Sequence, residues 1–201
     1  MTPPEALLLE LDRLWKAEYT PRIRIRILGS MALMLQTDYQ RGTKDGDILY
    51  AEPIDARVKE RLLALGGQGT PLARRHRIYL DVVSRGILML PAQPLFVPLP
   101  TLSAQLTHFE VEALSVPDVV VTKLKPFRPT DIADIAAMIL RGHVTHDQFV
   151  ALFRSAVDRF ADGATGTEKL PRIVENFHQI ERDHFGVEET TIELPPWVDE
   201  G

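Results

Sequence analysis

The chain predicts an α/β fold: a small mixed β-sheet with flanking helices, followed by a mainly helical C-terminal part. Three observations carry this. Residues 22–28, Arg-Ile-Arg-Ile-Arg-Ile-Leu, alternate strictly, the two-residue period of a half-buried strand. Gly29-Ser30 follows at once and opens an apolar run to about Thr37, a strand-to-helix turn. After Leu114 no alternating run recurs, and 116–125, 130–141 and 148–160 each read as helix.

Residues 3–18 place Leu7, Leu8, Leu11, Leu14 and Trp15 on one face of an amphipathic helix. Pro21 precedes the first strand, and Ser30 stands where a side chain would cap the short helix after it. A second strand covers 45–50. A helix from Ile54 to Leu65 stops at Gly66-Gly67-Gln68-Gly69, and a third strand spans Arg77–Ser84. The run Pro91–Pro100 is a connection or a short edge strand, and Phe109–Leu114 is extended. Pro117 and Pro129 stand at helix starts. The boundary between core and helical part is expected at 115/116, and the acidic tail Glu188–Gly201 is expected to be loosely held.

With 45% hydrophobic and 25% charged residues the composition is globular. No apolar run approaches the length of a membrane span, and Met1–Glu10 lacks the basic start of a secretory signal. The absence of cysteine excludes disulfides, thiolate zinc sites and thiol chemistry. A cytoplasmic location is the expectation. The net charge of −5 divides into +3 over residues 1–100 and −8 over 101–201. A nucleotide or RNA is therefore drawn to the first half.

The chemistry concentrates in Arg41-Gly42-Thr43-Lys44-Asp45-Gly46-Asp47. In a strand, Asp45 and Asp47 share one face about 7 Å apart. Such a pair of like charges calls for a cation, and Mg²⁺ (or Mn²⁺) takes one or two carboxylates with phosphate oxygens and water. The Gly29-Ser30 turn offers N–H groups and a hydroxyl to phosphate. Arg41 and Lys44 flank the carboxylates and would neutralise a triphosphate. Asp81, between Leu80 and Val82-Val83, is expected to complete the metal set and to activate an acceptor hydroxyl. Arg22, Arg24 and Arg26, and likewise Arg74, Arg75, His76 and Arg77, read as solvated faces before they read as RNA tracks. No histidine pair has metal-ligand spacing.

Gly-Ser, then Arg-x-Thr-x-Asp-x-Asp, then a later strand aspartate resembles the nucleotidyltransferase fold shared with DNA polymerase beta. More narrowly it resembles the AbiEii-like and MenT-like toxin branch, with a related group of uncharacterised bacterial nucleotidyltransferases. The likeness extends to Lys123-Leu124, Arg128, Asp131 and Asp134, and covers roughly 25–139. It implies an NTP substrate, Gly29 and Ser30 for phosphate, and Asp45 and Asp47 for metal. It implies Lys123 and Arg128 for the triphosphate, with Thr43 and Asp131 in the same nucleotide-binding set. The implied acceptor is RNA such as tRNA, or protein, and the implied partner is a cognate antitoxin. Gly46 stands where an apolar residue is usual, so an irregular strand is expected there. Pro126 and Pro129 are expected to interrupt a helical segment. Two other readings belong to different classes: a non-catalytic nucleotide-sensing or antitoxin-like module, and a small-molecule nucleotidyltransferase acting on aminoglycosides, for which an acidic C-terminal pocket is expected.

Overall fold

The computed structural model describes residues 1–15, 21–87, 89–161 and 169–194. The chain divides into two compact units, Met1–Ile87 with Leu95–Ser115, and Leu88–Pro94 with Val116–Gly201.

The first unit is built on five strands: β1 Ile23–Ile27, β2 Asp45–Tyr50, β3 Tyr79–Ser84, β4 Phe96–Pro98 and β5 Phe109–Leu114. Their order in the sheet is β3-β2-β1-β5-β4. β1 runs antiparallel to β2 and parallel to β5, β2 and β3 are parallel, and the short edge strand β4 is antiparallel to β5. The sheet is mixed, as the sequence predicts. Ile25, Ile27, Ile48, Leu80, Phe109 and Ala113 fill one face and are fully buried. Helices α1 (Pro3–Leu14), α2 (Gly29–Gln36), α3 (Ala56–Gly66), α4 (Pro71–His76) and α5 (Pro100–Ser103) complete the unit.

α1 begins in a capping box, Thr2 and Glu5 exchanging backbone and side-chain bonds. It buries Leu7, Leu8 and Leu11. It ends at Leu14, four residues before the helix read from the sequence; residues 16–18 of that reading lie outside the described residues. Asp12 near its end is buried because it accepts the N–H groups of Thr107 (2.9 Å) and His108 (2.7 Å), tying α1 to the start of β5. α4 was not expected. Its signal was Thr70-Pro71, a capping hydroxyl followed by proline in the first turn.

The arginine-rich faces are occupied within the unit. Arg24 and Arg26 pair with Glu110 and Glu112 across the β1–β5 register, and Arg22 donates to the carbonyls of Ser103, Leu106 and Phe109. On α4, Arg75 and His76 both reach Glu10 of α1. Burial, and then the Arg75 guanidinium, pull the His76 imidazole below its ordinary value.

The second unit contains α6 (Val116–Thr122), α7 (Pro129–Leu140), α8 (His146–Ala161) and α9 (Leu170–Ile180), with a widened π turn at Glu181–Phe185. Phe177 of α9 stacks on Phe149 and Phe153 of α8, with ring centroids 4.8 and 4.2 Å apart. α9 was also missed, although Leu170, Ile173, Phe177 and Ile180 keep helical spacing and are all buried. Ser155 and Arg159 of α8 bond the backbone at Ala92 and Leu90.

Residues 189–191 are held, contrary to expectation. Arg182 bonds Glu189, His178 Nε2 meets the Thr190 carbonyl at 3.1 Å, and Arg154 donates to the Thr191 carbonyl at 3.2 Å. Residues 195–201 of the tail lie outside the described residues. The hub is the fully buried Glu181, which meets His146 Nε2 at 2.7 Å and accepts from the Thr190 hydroxyl (2.6 Å) and N–H (2.9 Å). Burial pushes this carboxyl up, but the Thr190 hydroxyl and N–H together with His146 outweigh it, leaving Glu181 below its ordinary value. A carboxylate held low contributes stability above its unfolded pKa and loses it as pH falls through the folded one. Glu181→Gln therefore lowers the urea midpoint at neutral pH, and the gap from wild type closes below about pH 4; denaturation curves across that range measure it.

Candidate active site

The site begins where β1 hands over to α2. Leu28 takes the N-cap position, and no side chain caps the helix. Ser30 lies inside the first turn instead of capping it, and its hydroxyl accepts from the Arg41 guanidinium. Arg41 thereby ties the loop before β2 to the start of α2, and its other terminal nitrogen donates to the Gly42 carbonyl at 2.8 Å.

Gly29 has φ +60, and a Cβ there would meet Asp47 Oδ2 at 3.2 Å. The Leu28 N–H donates to the Asp47 backbone carbonyl at 2.9 Å, so the turn is fastened to the strand that carries the carboxylate. Gly29→Ala should cost about 1–2 kcal/mol from the left-handed backbone and push the Asp47 side chain aside. The expected result is a urea midpoint lowered accordingly, read from titrations of wild type and variant.

β2 carries Asp45 and Asp47 on one face, exposed and half-buried respectively, while Gly46 and Ile48 face the core. The expected irregularity at Gly46 is absent: Asp45 through Tyr50 keep continuous register with Tyr79 through Ser84. Glycine is there for space. A Cβ at 46 would lie 2.6 Å from Met31 Sδ and 3.2 Å from Leu80 Cδ2, so α2 presses on β2 at this point.

The register sets Asp81 directly beside Asp47, about 5 Å away at Cα in neighbouring strands. Asp81 is exposed, with Leu80 and Val82 on the opposite, buried face. Strand alternation, rather than the apolar run around it, sets this exposure. Its Oδ1 accepts the Val82 N–H at 2.7 Å. Thr43 is buried, and its hydroxyl lies 3.0 Å from the Asp45 carbonyl and 3.1 Å from Asp45 Oδ1. Lys44 is exposed.

The donor chemistry fits a hard cation. The three side chains offer only carboxylate oxygens, and Mg²⁺ needs one or two of them when phosphates and water supply the rest. Among the described residues no three His, Cys, Asp or Glu side chains are gathered closely enough to enclose a metal by themselves.

The second unit holds the other predicted residues in a cluster of their own. The buried Lys123 places Nζ 3.0 Å from Asp131 Oδ1 and 2.8 Å from Asp134 Oδ2. Asp131 Oδ2 accepts the Arg128 N–H at 3.1 Å at the start of α7. Phe127, at φ 45, turns the chain, and Pro129 opens α7 in its first turn. The helical run is thus interrupted between Thr122 and Pro129, where both prolines stand, as expected. The Lys123 ammonium is engaged by two carboxylates, while Arg128 is exposed. Asp134, expected only as a matching acidic position, proves to be the second partner of Lys123; its signal was the i, i+3 spacing from Asp131.

A cleft in this unit is lined by Arg154, Val157, Asp158, Thr191, Ile192 and Glu193, two carboxylates against one guanidinium. No described helix is long and apolar enough to cross a membrane.

A family model described as "Nucleotidyltransferase of unknown function (DUF6036)" matches residues 6–183. Searches of curated proteins and of solved structures return no match.

Proposed function

We propose, from the premise that the chain belongs to the DUF6036 family of nucleotidyltransferases, that it moves a nucleoside monophosphate from an NTP to an acceptor hydroxyl with Mg²⁺. The carrying observation is the Asp45, Asp47 and Asp81 face, with Asp47 against the Gly29 turn. Asp45 and Asp47, joined by Asp81, would hold the ion, which when bound draws charge from the phosphates. The first turn of α2 receives phosphate oxygens through its N–H groups and the Ser30 hydroxyl. Arg41 and Lys44 offset the triphosphate charge.

Asp81 takes the proton of the acceptor hydroxyl as its oxygen bonds the α-phosphorus. The bond to the β-phosphate oxygen breaks, and pyrophosphate leaves with its electron pair. In the segment 123–131, Arg128 is the exposed cation suited to phosphate, and Lys123 with Asp131 and Asp134 frames it. Resemblance to the AbiEii-like and MenT-like toxins supports tRNA or protein as acceptor and an antitoxin as partner.

The test mixes purified protein, Mg²⁺ and each α-labelled NTP with total RNA and with cell lysate, comparing wild type with Asp47→Asn. Label in RNA or in protein, lost in the variant, supports transfer and names the acceptor class. Nucleotide binding without turnover, unaltered in the variant, would favour a sensing module and overturn the reading.

A further inference from the structure

We infer that Thr43 is a positioning residue for the metal: it acts through Asp45 and does not touch nucleotide. The inference rests on the reading of Asp45 as a metal ligand. Thr43 is buried whereas the Asp45 carboxylate is exposed, and the Thr43 hydroxyl lies 3.1 Å from Asp45 Oδ1. An exposed aspartate otherwise samples several rotamers. A buried hydroxyl anchored in the backbone ahead of the strand selects one of them. With Oδ1 engaged, Oδ2 is the oxygen turned to a cation. The same hydroxyl lies 3.0 Å from the Asp45 carbonyl, so its one proton is shared between the backbone and side-chain oxygens of a single residue.

Its role differs from that of Thr2 and Thr70, whose hydroxyls accept N–H groups at helix starts. Thr43 instead donates to an acidic side chain, the arrangement by which outer partners orient metal ligands. Its burial also withholds the hydroxyl from a phosphate.

Binding of Mn²⁺ alone, followed by loss of the free-ion EPR signal, tests this without any assay of transfer. Thr43→Val should weaken Mn²⁺ binding about tenfold or more, and Thr43→Ser should restore it. In an Asp45→Ala background Thr43→Val should have no further effect, since the side chain it orients is already gone. Thermal melts of the same variants identify any that fail to fold. If Asp45→Asn weakens binding while Thr43→Val matches wild type, the inference falls and the site reading stands. Equal weakening by Thr43→Val in both backgrounds likewise overturns it. If Asp45→Asn leaves Mn²⁺ binding unchanged, the site reading falls and takes this inference with it.

Discussion

Asp47→Asn is expected to reduce nucleotidyl transfer by about a hundredfold or more while leaving the fold intact. The size follows from the role: loss of a ligand-borne charge removes several kcal/mol of transition-state stabilisation, and each ~1.4 kcal/mol is a factor of ten. Asp47 is the sensitive choice of the three carboxylates. It alone is set against the Gly29 turn, and the register gives it Asp81 as lateral neighbour. Asparagine keeps the shape and removes the charge. Because three carboxylates share this sheet face, deleting one relieves repulsion, so the melting temperature should hold or rise slightly. Transfer rates with Mg²⁺ and circular-dichroism melts, taken together, check both halves. Undiminished transfer by a folded variant would end the proposal.

Lys123→Met is expected to act on stability first. It leaves Asp131 and Asp134 buried without their shared cation, and breaking such a pair from one side costs about 3–5 kcal/mol. Methionine replaces the aliphatic stem, so packing loss is small beside that. Adding Asp131→Asn and Asp134→Asn to the variant should return part of the stability, because the stranded charges go with their partner. Urea titrations of the single and triple variants measure it. A residue devoted to nucleotide would behave otherwise, losing affinity at unchanged midpoint.

Local pattern carried the fold where each element answers to its own residues. The alternation of 22–28 became β1, and the Asp-x-Asp spacing put two carboxylates on one strand face. The misses share a cause: they depend on what lies across a gap in sequence. Asp81 stands among apolar neighbours in the chain, strand alternation faces it outward, and the register that pairs it with Asp47 is written in no single segment. Ser30 looked like a cap until Arg41, 11 residues on, bonded its hydroxyl. The tail looked loose because its acidic composition hides its bonds to the buried Glu181. The resemblance offers Lys123 to a triphosphate, and the structure shows two carboxylates of the next helix, Asp131 and Asp134, engaging it.

The contact between Met31 and position 46 ties two distant residues into one allotment of interior volume. Met31 is fully buried, and its sulfur stands 2.6 Å from where a methyl on residue 46 would begin. A relative with leucine or isoleucine between its aspartates therefore needs a slimmer helix residue at the place of Met31, so the two sites should drift together through descent. Otherwise the helix stands farther from the strand, and the glycine turn and the carboxylates lose their common reach.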